Sequence, residues 1–205
     1  INSAFSDGKL NGEKSPVNDG SVSDFVVIAA NTDTNKNHMS LSLFIIDTKQ
    51  DGMKSEHLET IDPSRPSSRM ILQNVEAELL GTSGDGWDMI QKIFNRAAVL
   101  FAFEQVGGAQ IALDEAKKYS LERYAFGKQI GTFQALKHKM ADMYVKIELA
   151  KSNAYYGAWA LSSDSNELPV AAAGARVSAI DAYHYASKEN IPVSYTHLTL
   201  PTIYS

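Results

Sequence analysis

Two interleaved heptads constrain this chain more tightly than any other feature in it. Phe133, Met140, Ile147, Ala154 and Leu161 recur seven apart, and Leu136, Met143, Ala150 and Gly157 fill the companion positions. Lys137, Lys139, Asp142, Lys146, Glu148 and Lys151 fall off that seam. An apolar repeat of this period is satisfied only by a helix packed along its length on other helices. A polar turn cluster at residues 162–167 closes the helix, and Pro169 suits the first turn of another, expected to run to about Glu189. Upstream, the helical period begins at Trp87 and can continue to about Arg123, with Gly127 and Gly131 marking the break. Between Arg96 and Asp114 the sole charge is Glu104, so this helix is expected to be buried, with Trp87, Ile90, Phe94, Ala97, Phe101 and Val106 facing inward. Glu104 would then need a basic partner on another helix, or would sit beside a ligand; the ion pair is the simpler reading. The Gly107-Gly108 pair weakens the helix and so predicts close approach of a neighbour. Three long helices with short connections imply antiparallel bundle packing.

The first 80 residues follow another rule. Asp7-Gly8, Asn11-Gly12, Asp19-Gly20 and Asp51-Gly52 are turn dipeptides, and short β-rich runs lie between them at residues 25–30, 41–46 and 70–75. Residues 31–38 suit a hairpin loop, and residues 62–68, with two prolines, a connector. The fold class is therefore α+β. A partial small β-barrel or sandwich occupies residues 1–80, a linker residues 81–86, and an incomplete helical bundle residues 87–191. The opening shows neither an initiator Met nor a signal peptide, and residues 193–202 carry no Lys, Arg, Asp or Glu. Residues 192–205 read as a sequencing-adapter remnant, which makes the preceding residues a fragment of a longer protein. No run of about 18 apolar residues occurs, so no membrane insertion is expected. With 24 acidic and 19 basic residues, the net charge of -5 argues against nucleic acid as a partner. The chain has no cysteine, which rules out disulfides, thiol nucleophiles and Cys-ligated metals within it and suits a reducing compartment.

No dinucleotide-binding glycine fingerprint, phosphate loop, zinc-helix motif or nucleophile elbow is present. His138 and Asp142, four apart, read as a solvated helix pair, and no metal site is expected. Residues 122–134 carry the most chemistry. Arg123 can clamp a phosphate with two donors, Phe126 can pack on a flat ring, and Gln134 offers donor and acceptor together. The same residues also make sense as a plain helix–helix turn with an Arg suited to the helix dipole. On the residues alone both readings stand.

The string from Arg123 to Gln134 reads R-x-x-F-G-x-x-I-G-x-F-Q, and here the sequence resembles the acyl-CoA dehydrogenase family. Leu10 to Gly20, residues 43–47 and 75–81, 104–110, 137–143 and 154–160 carry the likeness across residues 1–191. The resemblance implies a middle β-domain followed by most of a C-terminal four-helix bundle. It also implies an FAD enzyme that oxidises an acyl-CoA thioester to trans-2-enoyl-CoA and passes electrons to an electron-transfer flavoprotein. Arg123, Phe126 and Gln134 would contact FAD held mainly by a neighbouring subunit, in a dimer or tetramer of this chain or of a paralogue. The family's usual catalytic Glu would lie beyond Ile191. Residues 94–98, where some relatives place the base, hold no carboxylate, so no catalytic residue is assigned and the fragment alone is expected to be inactive. Pro16 and Asn18 stand where the family often has an aromatic residue and a Thr or Ser beside the flavin. A non-catalytic partner subunit, an acyl-CoA oxidase and a flavin monooxygenase are the alternatives on the same fold. The location implied is a bacterial cytoplasm, or the mitochondrial matrix of a eukaryote.

Overall fold

Turn chemistry in the first part of the chain and heptads in the second produce two compact units, Ile1–Lys92 and Ile93–Ser205. The computed structural model describes residues 3–6, 8–32, 40–61 and 63–194. Most of the expected hairpin loop at 31–38, and the chain after Ser194, lie outside them.

The first unit holds β1 (Ser3–Ser6), β2 (Lys9–Asn18), β3 (Phe25–Asn31), β4 (Leu41–Asp47), β5 (Met53–Leu58), β6 (Ser67–Glu76) and β7 (Glu78–Leu80). They form one mixed sheet of order β5-β6-β2-β1-β3-β4-β7, antiparallel except where β1 meets β3. Leu10, Ile28, Ala30, Phe44, Ile46, Leu72 and Val75 share a core, and Phe5 stacks on Phe44 at 4.3 Å. Adjacent strands lie about 4.8 Å apart, so in a flat sheet β2 and β4 would be too distant to share a core. The sheet is therefore rolled, which gives the expected barrel or sandwich the form of a single coiled sheet ending at β5 and β7.

Two expectations need correction. Asn11-Gly12 is not a turn: it lies within β2, where the register against β6 slips between Leu10 and Gly12 and the Asn11 carboxamide oxygen accepts from Asn74 N–H at 2.8 Å. A bulge uses the same Gly freedom as a turn, so the dipeptide could not distinguish them. Ser67 and Ser68 are buried residues of β6 rather than connector. The strand β5, Met53–Leu58, was not anticipated because Lys54, Glu56 and His57 mask its alternation; among the described residues it is an edge strand that pairs with β6 alone. Across β6, the Arg69 guanidinium donates from Nε and Nη2 to the two Glu13 carboxylate oxygens, both at 2.6 Å.

The second unit holds most of α1 (Gly86–Glu122), then a hairpin of β8 (Tyr124–Ala125) and β9 (Lys128–Gln129), a 3-10 turn (Ile130–Thr132), α2 (Gln134–Ser162) and α3 (Leu168–Ser194). The heptads are honoured in α2, where Met143, Ile147, Ala150, Ala154 and Gly157 are buried. Ala102, Val106, Ala150, Ala154, Ala175, Ala179 and Ala182 form one part of the core. Ala109, Leu113, Met143, Ile147 and Ala186 form the other. Gly157 lies against Val99 and Ala175, whereas Ser120 meets Met140, so α1 and α2 run antiparallel. The Lys146 ammonium meets Asp181 at 2.6 Å, and Lys139 pairs with Glu189, so α3 reverses direction again and runs parallel to α1. The Lys146–Asp181 pair is exposed and the Lys139–Glu189 pair is part-buried, and together they help fix the register of α2 on α3.

The predicted inward stripe of α1 holds at Val106, is half-buried at Ile90 and Ala97, and fails at its three aromatic positions. Trp87, Phe94 and Phe101 are 41%, 62% and 52% exposed, while Val99, Ala102, Val106, Ala109 and Ala116 are buried. The helix is apolar on more than one face, and close packing on α2 and α3 selects the face with small residues. Glu104 is likewise exposed and needs no buried partner. The expected close approach at the glycine pair is present at Gly108, where an added Cβ would lie 2.7 Å from the Tyr183 ring. Among the described residues no helix is long and apolar enough to cross a membrane.

Gly157→Val forces a branched side chain against Val99 and Ala175 within three packed helices. It is expected to lower the unfolding free energy by about 1–3 kcal/mol in urea titrations. Gly108→Ala should cost less, because the Tyr183 ring is 42% exposed and can swing aside. The Arg69 hydrogen bond holds the Glu13 carboxyl below its ordinary value of 4.5. A depressed carboxylate pKa stabilises the fold above the unfolded-state value and loses that contribution as pH falls through the folded one. The stability difference between wild type and Arg69→Met, measured by urea midpoint, is therefore expected near neutrality and should shrink below pH 4.5.

Candidate functional site

At Glu122 the helix α1 ends, and the next residues reverse the chain inside a few positions. Arg123 N–H still donates to Tyr119 C=O at 2.9 Å, while Arg123 C=O accepts from Ile130 N–H at 2.9 Å. Between them Tyr124 pairs with Gln129 and Ala125 with Lys128. The two turn residues, Phe126 and Gly127, have φ of 53° and 76°. A two-residue hairpin turn of this kind needs positive φ at both central positions, which normally selects Asn-Gly. A bulky residue there costs about 1–3 kcal/mol. Phe126 bears that cost while its ring is 95% exposed, so neither burial nor local preference explains its presence.

The remaining contacts fasten this hairpin to both helices. Gln129 Nε2 donates to Leu121 C=O at 2.6 Å, satisfying a carbonyl at the α1 C-terminus. Gly131 backs onto α1 so closely that a Cβ would come within 3.0 Å of Ser120 C=O. Phe126 meets Phe133 edge to face at 6.4 Å, and the Lys128 ammonium stands 4.5 Å from the Phe133 ring centre. Phe133 occupies the N-cap position of α2 and supplies no side-chain acceptor, so the first N–H groups of α2 lack a side-chain cap.

Beside the hairpin opens a cavity of about 510 Å³. Its walls include Tyr119, Phe126, Ile130, Phe133 and Leu136, and its single charged residue is Arg123. Arg123 makes no ion pair among the described residues. The size falls in the range of small-ligand sites, and an apolar, aromatic wall with one cation suits a planar group joined to an anion. A cavity of similar size in the first unit is lined by Asp47, Glu76 and Glu78 and would repel an anion.

Of the residues expected from sequence, Arg123 and Phe126 line the same cavity. Gln134 opens α2 and is exposed, immediately before the lining residues Ala135 and Leu136. Tyr119 was overlooked, although it stands one helical turn before Arg123 and that spacing could have revealed it. Pro192 and Val193 also line the cavity, from the last turn of α3, which continues past the expected end near Glu189. No local signal links them to the motif. Asp142 accepts a hydrogen bond from the Tyr185 hydroxyl at 3.5 Å rather than pairing with His138. Among the described residues no group of His, Asp and Glu could hold a metal ion.

Comparison with known proteins decides the family. Residues 84–191 match the acyl-CoA dehydrogenase C-terminal domain. The chain belongs to the acyl-CoA dehydrogenase family. It is 35% identical to the caffeyl-CoA reductase–Etf complex subunit CarC of Acetobacterium woodii, over 77% of this chain and 43% of that protein. It is 33% identical to glutaryl-CoA dehydrogenase of Desulfococcus multivorans, over 95% of this chain and 54% of the relative. Its fold matches a solved glutaryl-coenzyme A dehydrogenase in complex with glutaryl-CoA with a TM-score of 0.82 at 30% identity, over 93% of this chain and 50% of the other. The chain thus spans about half the length of the curated relatives it matches.

If Phe126 is kept for its ring and not for its backbone, Phe126→Asn should relieve the turn. The variant is expected to be more stable than wild type by about 1 kcal/mol in urea unfolding. Ligand binding at the cavity should weaken at the same time.

Proposed function

We propose that this segment belongs to an FAD-dependent acyl-CoA dehydrogenase that works as a dimer or tetramer. The observation that carries the reading is the strained, exposed Phe126 beside an Arg123 that has no ion-pair partner among the described residues, both on one apolar cavity. These residues fit a flavin dinucleotide: Arg123 would hold its pyrophosphate, Phe126 and Phe133 would flank a flat ring, and Gln134 would hydrogen-bond at the cavity edge. FAD supplies the hydride acceptor for converting an acyl-CoA thioester to trans-2-enoyl-CoA, with an electron-transfer flavoprotein taking the electrons onward. This chain's contribution is to bind and orient that cofactor and to exclude water from one side of it. The proton-abstracting base is assigned to no residue here, since residues 94–98 hold no carboxylate and Glu104 is exposed. Because the Phe126 ring is 95% exposed, a second chain is the natural source of the rest of the site. The exposed apolar residues Phe94, Leu100, Phe101 and Trp159 support such association.

A second reading, reduction of an enoyl-CoA in place of oxidation, is favoured by the 35% identity to the caffeyl-CoA reductase subunit. The same flavin site serves both directions, and the two differ in which CoA thioester changes the flavin spectrum.

In the full-length protein carrying this segment, FAD is expected to co-purify and to be bleached anaerobically by an acyl-CoA. Arg123→Ala removes a charge-assisted pair of hydrogen bonds and should weaken FAD binding about 10–100-fold, read by flavin fluorescence on titrating the apoprotein. Unchanged affinity would overturn the assignment.

A further inference from the structure

Hydrogen-bonding side chains are scarce on the wall of the cavity beside the hairpin. Among the described residues that line it, Tyr119 and Arg123 alone carry a polar side-chain group, the rest being Ala, Phe, Ile, Leu, Pro and Val. Tyr119 lies in the last turn of α1, and Arg123 follows the end of that helix. The Tyr119 carbonyl accepts the Arg123 N–H at 2.9 Å, so the helical spacing holds through Arg123 and the two side chains start from one face. At a helix C-terminus the backbone presents carbonyl acceptors and no free N–H. Donors to a ligand at this wall therefore have to be side chains.

Tyr119 also stands apart from the other described tyrosines. The Tyr185 hydroxyl donates to Asp142 and the Tyr156 hydroxyl to Glu167. Tyr124, Tyr144, Tyr155 and Tyr183 make no such bond, but they are 42% to 63% exposed and meet water. Tyr119 is partly buried, and its hydroxyl has no hydrogen-bond partner among the described residues. A tyrosine withdrawn from water ordinarily finds a partner for its hydroxyl. The fold gives Tyr119 none, and it gives the Arg123 guanidinium no ion pair among the described residues.

We propose that the Tyr119 hydroxyl is the second polar anchor of this cavity, donating a hydrogen bond to the same anionic group of the ligand that Arg123 holds. The proposal rests on the reading of the cavity as a flavin-dinucleotide site, in which that group is the pyrophosphate. Drawn against an apolar wall, a pyrophosphate has oxygens that are costly unless each meets a donor. The guanidinium fork covers one edge of the group, and the hydroxyl supplies a further donor from one turn earlier in the helix.

The test is FAD titration of the full-length apoprotein, with a urea unfolding curve for each variant. Tyr119→Phe keeps the ring on the wall and removes the hydroxyl. It is expected to weaken FAD binding about tenfold, the size of one hydrogen bond to a charged group. Its urea midpoint should match wild type, because the hydroxyl has no partner in the protein to lose. In Tyr119→Phe combined with Arg123→Ala, the loss should be smaller than the product of the two single losses, as for side chains that share one group. Unchanged affinity in Tyr119→Phe, or a loss matched by a lower urea midpoint, would overturn the proposal, the second outcome meaning that the hydroxyl serves the fold. A double-variant loss equal to the product would overturn the shared anion. Arg123→Ala separates this proposal from the reading beneath it. If Arg123→Ala weakens FAD and Tyr119→Phe does not, the Tyr119 assignment alone falls; if Arg123→Ala binds FAD normally, the cofactor reading falls first.

Discussion

Close contact between small side chains on α1, α2 and α3 is the constraint on which the helical unit depends. Alanines at 102, 109, 150, 154, 175, 179, 182 and 186, with Gly157, let three helices approach closely. That approach sets the antiparallel register of α1 and α2, and so determines where Arg123 leaves one helix and Gln134 enters the next. The hairpin between them has no freedom to choose its place. Gln129 ties it to the end of α1, Gly131 presses it on Ser120, and Phe133 hands the chain to α2. The candidate site is thus built on the ends of two packed helices.

The seam was legible in the sequence because its period survives any substitution among small apolar residues. Met143, Ile147, Ala150, Ala154 and Gly157 could be placed from spacing alone. The inward face of α1 could not. When a helix offers large apolar residues on one side and small ones on another, periodicity ranks the large side first, yet the depth of approach selects the small one. Glu104 was misread for the same reason, its surroundings in sequence being apolar while its surroundings in space are solvent. In the β unit, Asn11-Gly12 and the β5 strand show how turn chemistry and edge charge can each imitate something else.

At the candidate site, the identity of Arg123 and Phe126 was readable but their setting was not. The left-handed Phe126 is a backbone fact with no signature beyond the Gly that follows it. The convergence of Tyr119 with Pro192 and Val193 depends on α3 running parallel to α1, a relation set far downstream of the motif. Charge told more than pattern did here. Arg123, without a carboxylate partner among the described residues and on an otherwise apolar cavity wall, is not explained by folding.

The alanine seam has one more consequence. An alanine contributes little apolar area when it is buried, so a core built from alanines draws modest hydrophobic free energy from the chain's own folding. The larger residues Phe94, Leu100, Phe101, Tyr155, Trp159 and Val177 remain exposed on the single chain. Their contribution becomes available only when another surface covers them. Any surface that covers these residues would therefore add stability that the folding of the single chain does not supply.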